Sequence, residues 1–163
     1  MESNQPLPRM IGALLRIPFQ QTVARVHQRL MEAGYTDLRP THFALLQQLR
    51  PEGLRVTELA SLAQMTKQSM GAIVDYVEER GYIERIPDPK DGRARLVRLT
   101  PRGREVEQVA RAAIGELETE WAQYLGPERF AALRSALQDL VTFIESQGEG
   151  GRLSYRDHDS ASQ

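Results

Sequence analysis

Apolar residues recur at helical spacing along most of the chain, and that pattern divides it into elements. Between residues 10 and 33 they fall at Met10, Leu14, Leu15, Val23, Val26 and Leu30, which predicts a helix that Gly34 stops. Pro18 lies inside the pattern, and its missing N–H predicts a kink or short break there. A second helix is expected from near Pro40, with Phe43, Leu45, Leu46 and Leu49 as its apolar side; residues 50–53 (RPEG) read as a loop.

The next fifty residues change period twice. Leu54, Arg55 and Val56 read as a short strand. Thr57 is a good N-cap for a short helix containing Leu59, Leu62 and Ala63. Gln64, Met65 and Thr66 form a turn, and Thr66 caps a longer helix from Lys67 to about Arg80. Its stripe is Met70, Ile73, Val74 and Val77, spaced i, i+3, i+4 and i+7. Gly81 ends it. Residues 82–86 and 96–99 are β-rich, and between them lies Pro87-Asp88-Pro89-Lys90-Asp91-Gly92-Arg93, so a hairpin is expected. Gly92 is expected to turn at positive φ at its tip. Asp91 would then accept hydrogen bonds from the Arg93 guanidinium.

Thr100-Pro101 is an N-cap followed by a first-turn proline. A long helix runs from there to about Leu125, and Gly126-Pro127 separates it from a last helix with Phe130, Leu133, Leu137, Leu140, Val141 and Ile144 as its stripe. Residues 1–9 and the polar tail 149–163 read as disordered. The fold class that follows is mainly α with a small β wing: a winged helix-turn-helix at 40–100 between helices at 10–33 and 101–148. The outer stripes lack partners in a chain this short, and a second copy of the chain would supply them.

Composition narrows the function. With 40% hydrophobic and 26% charged residues the chain is an ordinary globular protein, and no run approaches a membrane span. The first nine residues lack the order of a secretory signal, so the reading is cytoplasmic. There is no cysteine, which removes disulfides, thiolate metal sites and thiol redox sensing. The three histidines, His27, His42 and His158, are scattered, so no metal and no cofactor is expected. No catalytic constellation stands out, and an enzyme is not expected.

The net charge of −1 is uninformative, but its distribution is not. Residues 85–104 carry 7 basic and 2 acidic side chains, whereas 105–149 carry 3 and 9. Such a basic segment is either a DNA-facing patch or an ordinary solvated face, and charge alone does not separate them. Position adds to it. The helix at 67–80 buries its stripe and shows Thr66, Lys67, Gln68 and Ser69 at its first turn. These polar groups carry no negative charge, which suits a helix N-terminus in a major groove. The alternative reading is that they only solubilise the helix.

The stretch from Thr57 to Gly103 resembles the MarR family of winged-helix transcriptional regulators. The resemblance is strong from Leu54 to Gly103 and extends more weakly over 10–145. Its most specific element is the wing, where Asp-Pro-x-Asp-x-Arg is followed by an alternating strand and Leu-Thr-x-x-Gly. It implies that the helix at 67–80 reads a major groove. The wing arginine, Arg93, would enter the minor groove, oriented by Asp91, with Arg95 beside it. It also implies a homodimer formed by the N- and C-terminal helices, a palindromic double-stranded operator, and repression relieved by a small aromatic or anionic effector. Arg16, Phe19, His42 and Phe43 are the expected lining of an effector cleft. Two departures stand out: Gly71 and Ala72 replace a hydroxyl residue and an arginine of many relatives, and Tyr76 replaces a long basic group. The rival reading is a winged-helix interaction or assembly module that binds no DNA.

Overall fold

The computed structural model describes residues 9–148. Six helices and one hairpin follow in the order α1 (Ile11–Glu32), α2 (Pro40–Leu46), α3 (Val56–Leu62), α4 (Lys67–Glu79), β1 (Ile83–Asp88), β2 (Asp91–Leu99), α5 (Pro101–Leu125) and α6 (Pro127–Gly148). The expected disorder of the two ends lies outside the described residues, apart from Arg9. Among the described residues no helix is long and apolar enough to cross a membrane.

The chain divides into two compact units, Met1–Leu117 and Glu118–Gln163. The core of the first gathers Leu30 from α1, Leu45 from α2, Leu59 from α3, Met70, Val74 and Val77 from α4, and Tyr82, Ile83 and Val97 from the hairpin region, all essentially inaccessible. Complete burial of Met70, Val74 and Val77 at roughly 1.5–3 kcal/mol each holds α4 more firmly than its cap, which is worth about 1 kcal/mol. In the second unit the end of α5 meets α6 through Arg134 Nη1 and Glu118 Oε2 at 2.8 Å.

Local chemistry explains most boundaries, and several differ from expectation. α1 runs unbroken through Pro18. The Leu14 carbonyl that Pro18 cannot serve lies in an exposed half of the helix, where water can take the bond. α2 closes at Leu46, and Leu49 packs against the core from beyond it. α3 starts at Val56, with Arg55 rather than Thr57 at the N-cap; the Glu58 carboxylate reaches back to accept the Arg55 N–H at 2.7 Å. Leu62 is exposed and Ala60 takes its place in the core. The expected strand at 54–56 shrinks to a single bridge, Leu54 with Val97.

α5 is seated by the Leu-Thr-x-x-Gly segment. Thr100 Oγ1 donates to the Gly81 carbonyl at 2.6 Å and accepts the Gly103 N–H at 3.1 Å, while the Thr100 N–H donates to the Tyr82 carbonyl at 3.1 Å. The helix start then lies so close to β1 that a Cβ on Gly103 would stand 2.0 Å from the Tyr82 carbonyl oxygen and 3.0 Å from Leu99 Cδ2. The obstacle is backbone and cannot swing aside. Gly103→Ala should therefore destabilise the fold by about 1–3 kcal/mol or more in urea unfolding. Gly115→Ala, in the same helix with open space around the new Cβ, should be neutral or stabilise by about 0.5–1 kcal/mol.

Candidate nucleic-acid interface

α3, a tight turn and α4 form the helix-turn-helix. The turn bends through Gln64, which takes a left-handed φ of 52°. The Met65 N–H closes it on the Ala60 carbonyl at 2.8 Å. Thr66 Oγ1 accepts the Ser69 N–H at 3.1 Å and donates to Ser69 Oγ at 2.8 Å, so the cap and the first-turn hydroxyls form one unit. Thr66, Lys67, Gln68 and Ser69 are all exposed. The buried stripe on the opposite side of α4 makes that exposure obligatory.

The wing differs from expectation at its tip. Asp88 pairs with Asp91, so the two-residue turn is Pro89-Lys90 and not Asp91-Gly92. Pro89 suits a turn's second position, and Asp88 Oδ1 accepts the Lys90 N–H at 2.8 Å. Gly92 is not at positive φ. Asp91 Oδ1 accepts the backbone N–H of Arg93 at 3.1 Å, in place of the guanidinium bond expected from the sequence. The next partners in register are Pro87 and Arg95, which leaves Gly92, Arg93 and Ala94 unpaired as a projecting segment of β2.

Internal pairing sorts the basic segment. Arg85 is held by Glu78 and Asp75 of α4. Arg98 is answered across the hairpin by Glu84 at 2.7 Å. Arg102 Nη2 donates to the Tyr82 hydroxyl at 3.0 Å, and Arg104 Nη1 to the Leu99 carbonyl at 3.1 Å. Among the described residues the side chains of Lys67, Lys90, Arg93 and Arg95 make no hydrogen bond or ion pair, and all four are exposed. Within the basic segment the free cations are thus Lys90, Arg93 and Arg95 at the end of the wing, with Lys67 free at the start of α4; Arg50 and Arg129 are also exposed without a side-chain bond elsewhere in the described chain. One residue that the sequence reading passed over also belongs here. Arg55, between the Leu54 bridge and α3, donates through Nε and Nη2 to Asp88 Oδ2 at 2.8 and 2.5 Å. Lys90's N–H and then Arg55 hold the Asp88 carboxyl below the usual carboxylate range.

A model of the MarR family matches residues 36–94, which span the helix-turn-helix and the wing tip. The transcriptional regulator HosA of Escherichia coli O111:H- is 31% identical over 113 residues, covering 69% of this chain and 78% of that protein. The chain belongs to the MarR family. The transcriptional activatory protein BadR of Rhodopseudomonas palustris is 32% identical over 94 residues, 58% of this chain and 53% of that protein. Among solved structures, CouR from Rhodococcus jostii RHA1, bound to p-coumaroyl-CoA, superposes with a TM-score of 0.65 at 25% identity, covering 83% of this chain and 94% of that one. The MarR-family relatives are transcriptional regulators, not enzymes, and DNA-binding regulation is the activity that membership implies.

The position at which this MarR-family chain carries Tyr76 is committed to packing. The Tyr76 hydroxyl donates to the Asp37 carbonyl at 2.7 Å, its ring lies 4.5 Å from that of His42, and the Arg80 guanidinium covers it at 3.4 Å. Of the four residues expected at an effector cleft, His42 and Phe43 are buried, while Phe19 is 63% exposed and Arg16 is bonded along α1 to Gln20. His42 Nδ1 accepts the Arg39 N–H at 3.1 Å and so caps α2.

That acceptor role needs the neutral imidazole. Burial first, then the charges of Arg39 and Arg80, lower its pKa from 6.5, with Asp37 opposing. Above 6.5 the group is neutral whether the chain is folded or not. Below it the unfolded chain takes up the proton first, so this contribution to stability is lost as pH falls toward the folded-state value. The unfolding midpoint should therefore drop as pH falls below about 6.5, and more steeply than in His42→Asn, whose amide oxygen can keep the cap. Equal slopes in the two proteins would show that His42 does not titrate this way.

Proposed function

We propose that the protein is a homodimeric repressor that binds a palindromic double-stranded operator and is released by a small aromatic or anionic effector. The observation that carries the DNA-binding part is the sorting of charge. Arg85 and Arg98 are answered by carboxylates within the fold and Arg102 and Arg104 are bonded to its neutral oxygens, while Lys67 at the start of α4 and Lys90, Arg93 and Arg95 on the wing are exposed with no side-chain hydrogen bond or ion pair. In this reading Thr66, Lys67, Gln68 and Ser69 meet the major groove. Arg93 enters the minor groove, where negative potential is enhanced, with Arg95 on the adjacent phosphates. Asp91 contributes by shaping the Arg93 backbone. Gly71 and Ala72 put no long side chain in the middle of α4, so base readout rests on its first turn and on the wing.

The homodimer is proposed from unsatisfied apolar surface. Met10 at the N-cap of α1 and Ile11, Leu14 and Phe19 within it are half or more exposed, and α6 exposes Leu133, Leu137, Leu140, Val141, Phe143 and Ile144. An amphipathic helix that buries nothing is poorly stable in water. We assign the helices at 10–33 and 101–148 to the interface, and light scattering should give twice the chain mass at micromolar concentration. The effector part rests on the ligand named with CouR, an aromatic acyl thioester carrying phosphates. In this reading Arg16, Phe19, His42 and Phe43 remain the proposed effector contacts.

The test uses a duplex selected by the wild-type protein from a randomised pool. Half-sites should lie about 10–10.5 bp apart, or a multiple, centre to centre. Arg93→Ala should leave folding and mass unchanged but weaken binding by roughly 1–3 kcal/mol per contacting chain. Lys67→Ala should weaken binding and flatten its dependence on salt. If no duplex binds in a salt-dependent way, an interaction module without DNA binding becomes the better reading.

A further inference from the structure

The Arg55 guanidinium bridges both ends of the wing turn. Beside its two bonds to Asp88 Oδ2, its Nη2 stands 3.5 Å from Asp91 Oδ2. Each carboxylate divides its oxygens in the same way. Asp88 gives Oδ1 to the Lys90 N–H, and Asp91 gives Oδ1 to the Arg93 N–H, while each turns Oδ2 toward Arg55. The backbone on either side of the projecting segment is thereby tied, through one side chain, to the residue that starts α3. Asp88 is only 6% exposed. A carboxylate so removed from water requires a cationic partner, and Arg55 is the one in place.

The rest of the wing offers its tip little other support from the body. The Leu54–Val97 bridge holds β2 near its base. Beyond Arg95 the register breaks, and the segment that carries Arg93 has no cross-strand partner. A tip free to swing must be ordered when it meets a duplex, and that ordering weakens binding; a tip held beforehand avoids the loss.

We propose that Arg55 is a positioning residue for DNA binding, holding the wing tip through Asp88 and Asp91 so that Arg93 is presented in one direction. Its Nε and Nη2 are taken by carboxylates of the wing turn, so its role is to act through Arg93, and a double-mutant cycle separates that from a contact of its own with the duplex. The proposal rests on the reading of the wing as a DNA contact.

Two measurements on the full chain test it. The first needs no DNA. In Arg55→Gln the amides of Lys90 and Arg93 should exchange with solvent faster by a larger factor than those of α4, which report any general loss of stability from leaving Asp88 without its cation. Unchanged exchange at both amides overturns the proposal. The second is a double-mutant cycle on the selected duplex. Arg55→Gln should weaken binding roughly three- to thirty-fold when Arg93 is present and by much less in the Arg93→Ala background. Arg55→Lys, which can keep one of the contacts, should fall between Gln and wild type. An equal loss in both backgrounds is what a direct phosphate contact or a general folding role would give, and it overturns the proposal while leaving the wing as a DNA contact. If Arg93→Ala alone binds as tightly as wild type, the wing reading fails and this proposal falls with it. The exchange result would still show whether Arg55 holds the tip.

Discussion

A phenol with no access to solvent must find its hydrogen-bond partners inside the fold, and Tyr82 does so in a way that ties the winged unit together. Its hydroxyl donates to Asp37 Oδ1 at 2.6 Å and accepts from Arg102, and its ring meets Tyr35 edge-on. Burial, with the Asp37 carboxylate, pushes its pKa up to about 12. Its carbonyl receives the Thr100 N–H and faces Gly103 at the start of α5. One residue between α4 and β1 thus contacts the loop after α1 and the beginning of α5. The first turn of α4 and the base of the wing are presented from a body that this node makes continuous.

Around that node the protein spends most of its arginines on itself. Arg80 lies over Tyr76 and Arg102 over Tyr82, while Arg85 and Arg98 are matched to carboxylates of α4 and β1. Exposed pairs of this kind add little stability, typically ~0–1 kcal/mol. The carboxylate pairs offset the charges of Arg85 and Arg98, whereas Lys67, Lys90, Arg93 and Arg95 keep theirs uncompensated.

Periodicity and punctuation made most of the fold legible. The stripes of α1, α4 and α6, the Thr66 and Thr100 caps and the stops at Gly34, Gly81 and Gly126 are local features, and each is where its pattern puts it. The errors share a cause. Thr57 is a sound capping residue, but Glu58 reaching back to Arg55 starts α3 earlier. Gly92 is a good turn residue, but Asp88 closing on Lys90 moves the turn to Pro89-Lys90. In both places two acceptable local solutions compete, and a backbone N–H donating to a neighbouring carboxylate decides between them.

The sequence by itself determined the helix-turn-helix with a basic wing and pointed to Lys67, because hydrophobic period, caps and turn residues act over a few positions along the chain; Arg93 was singled out only by the resemblance to the MarR family. Which basic residues stay free was decided only by the tertiary structure. Whether an arginine is spent or available depends on acceptors that folding brings to it, as with Arg98 and Glu84 or Arg102 and Tyr82. Arg55 was invisible for the same reason. Thirty-three positions separate it from Asp88, and no pattern along the chain encodes a contact made by packing α3 beside the wing.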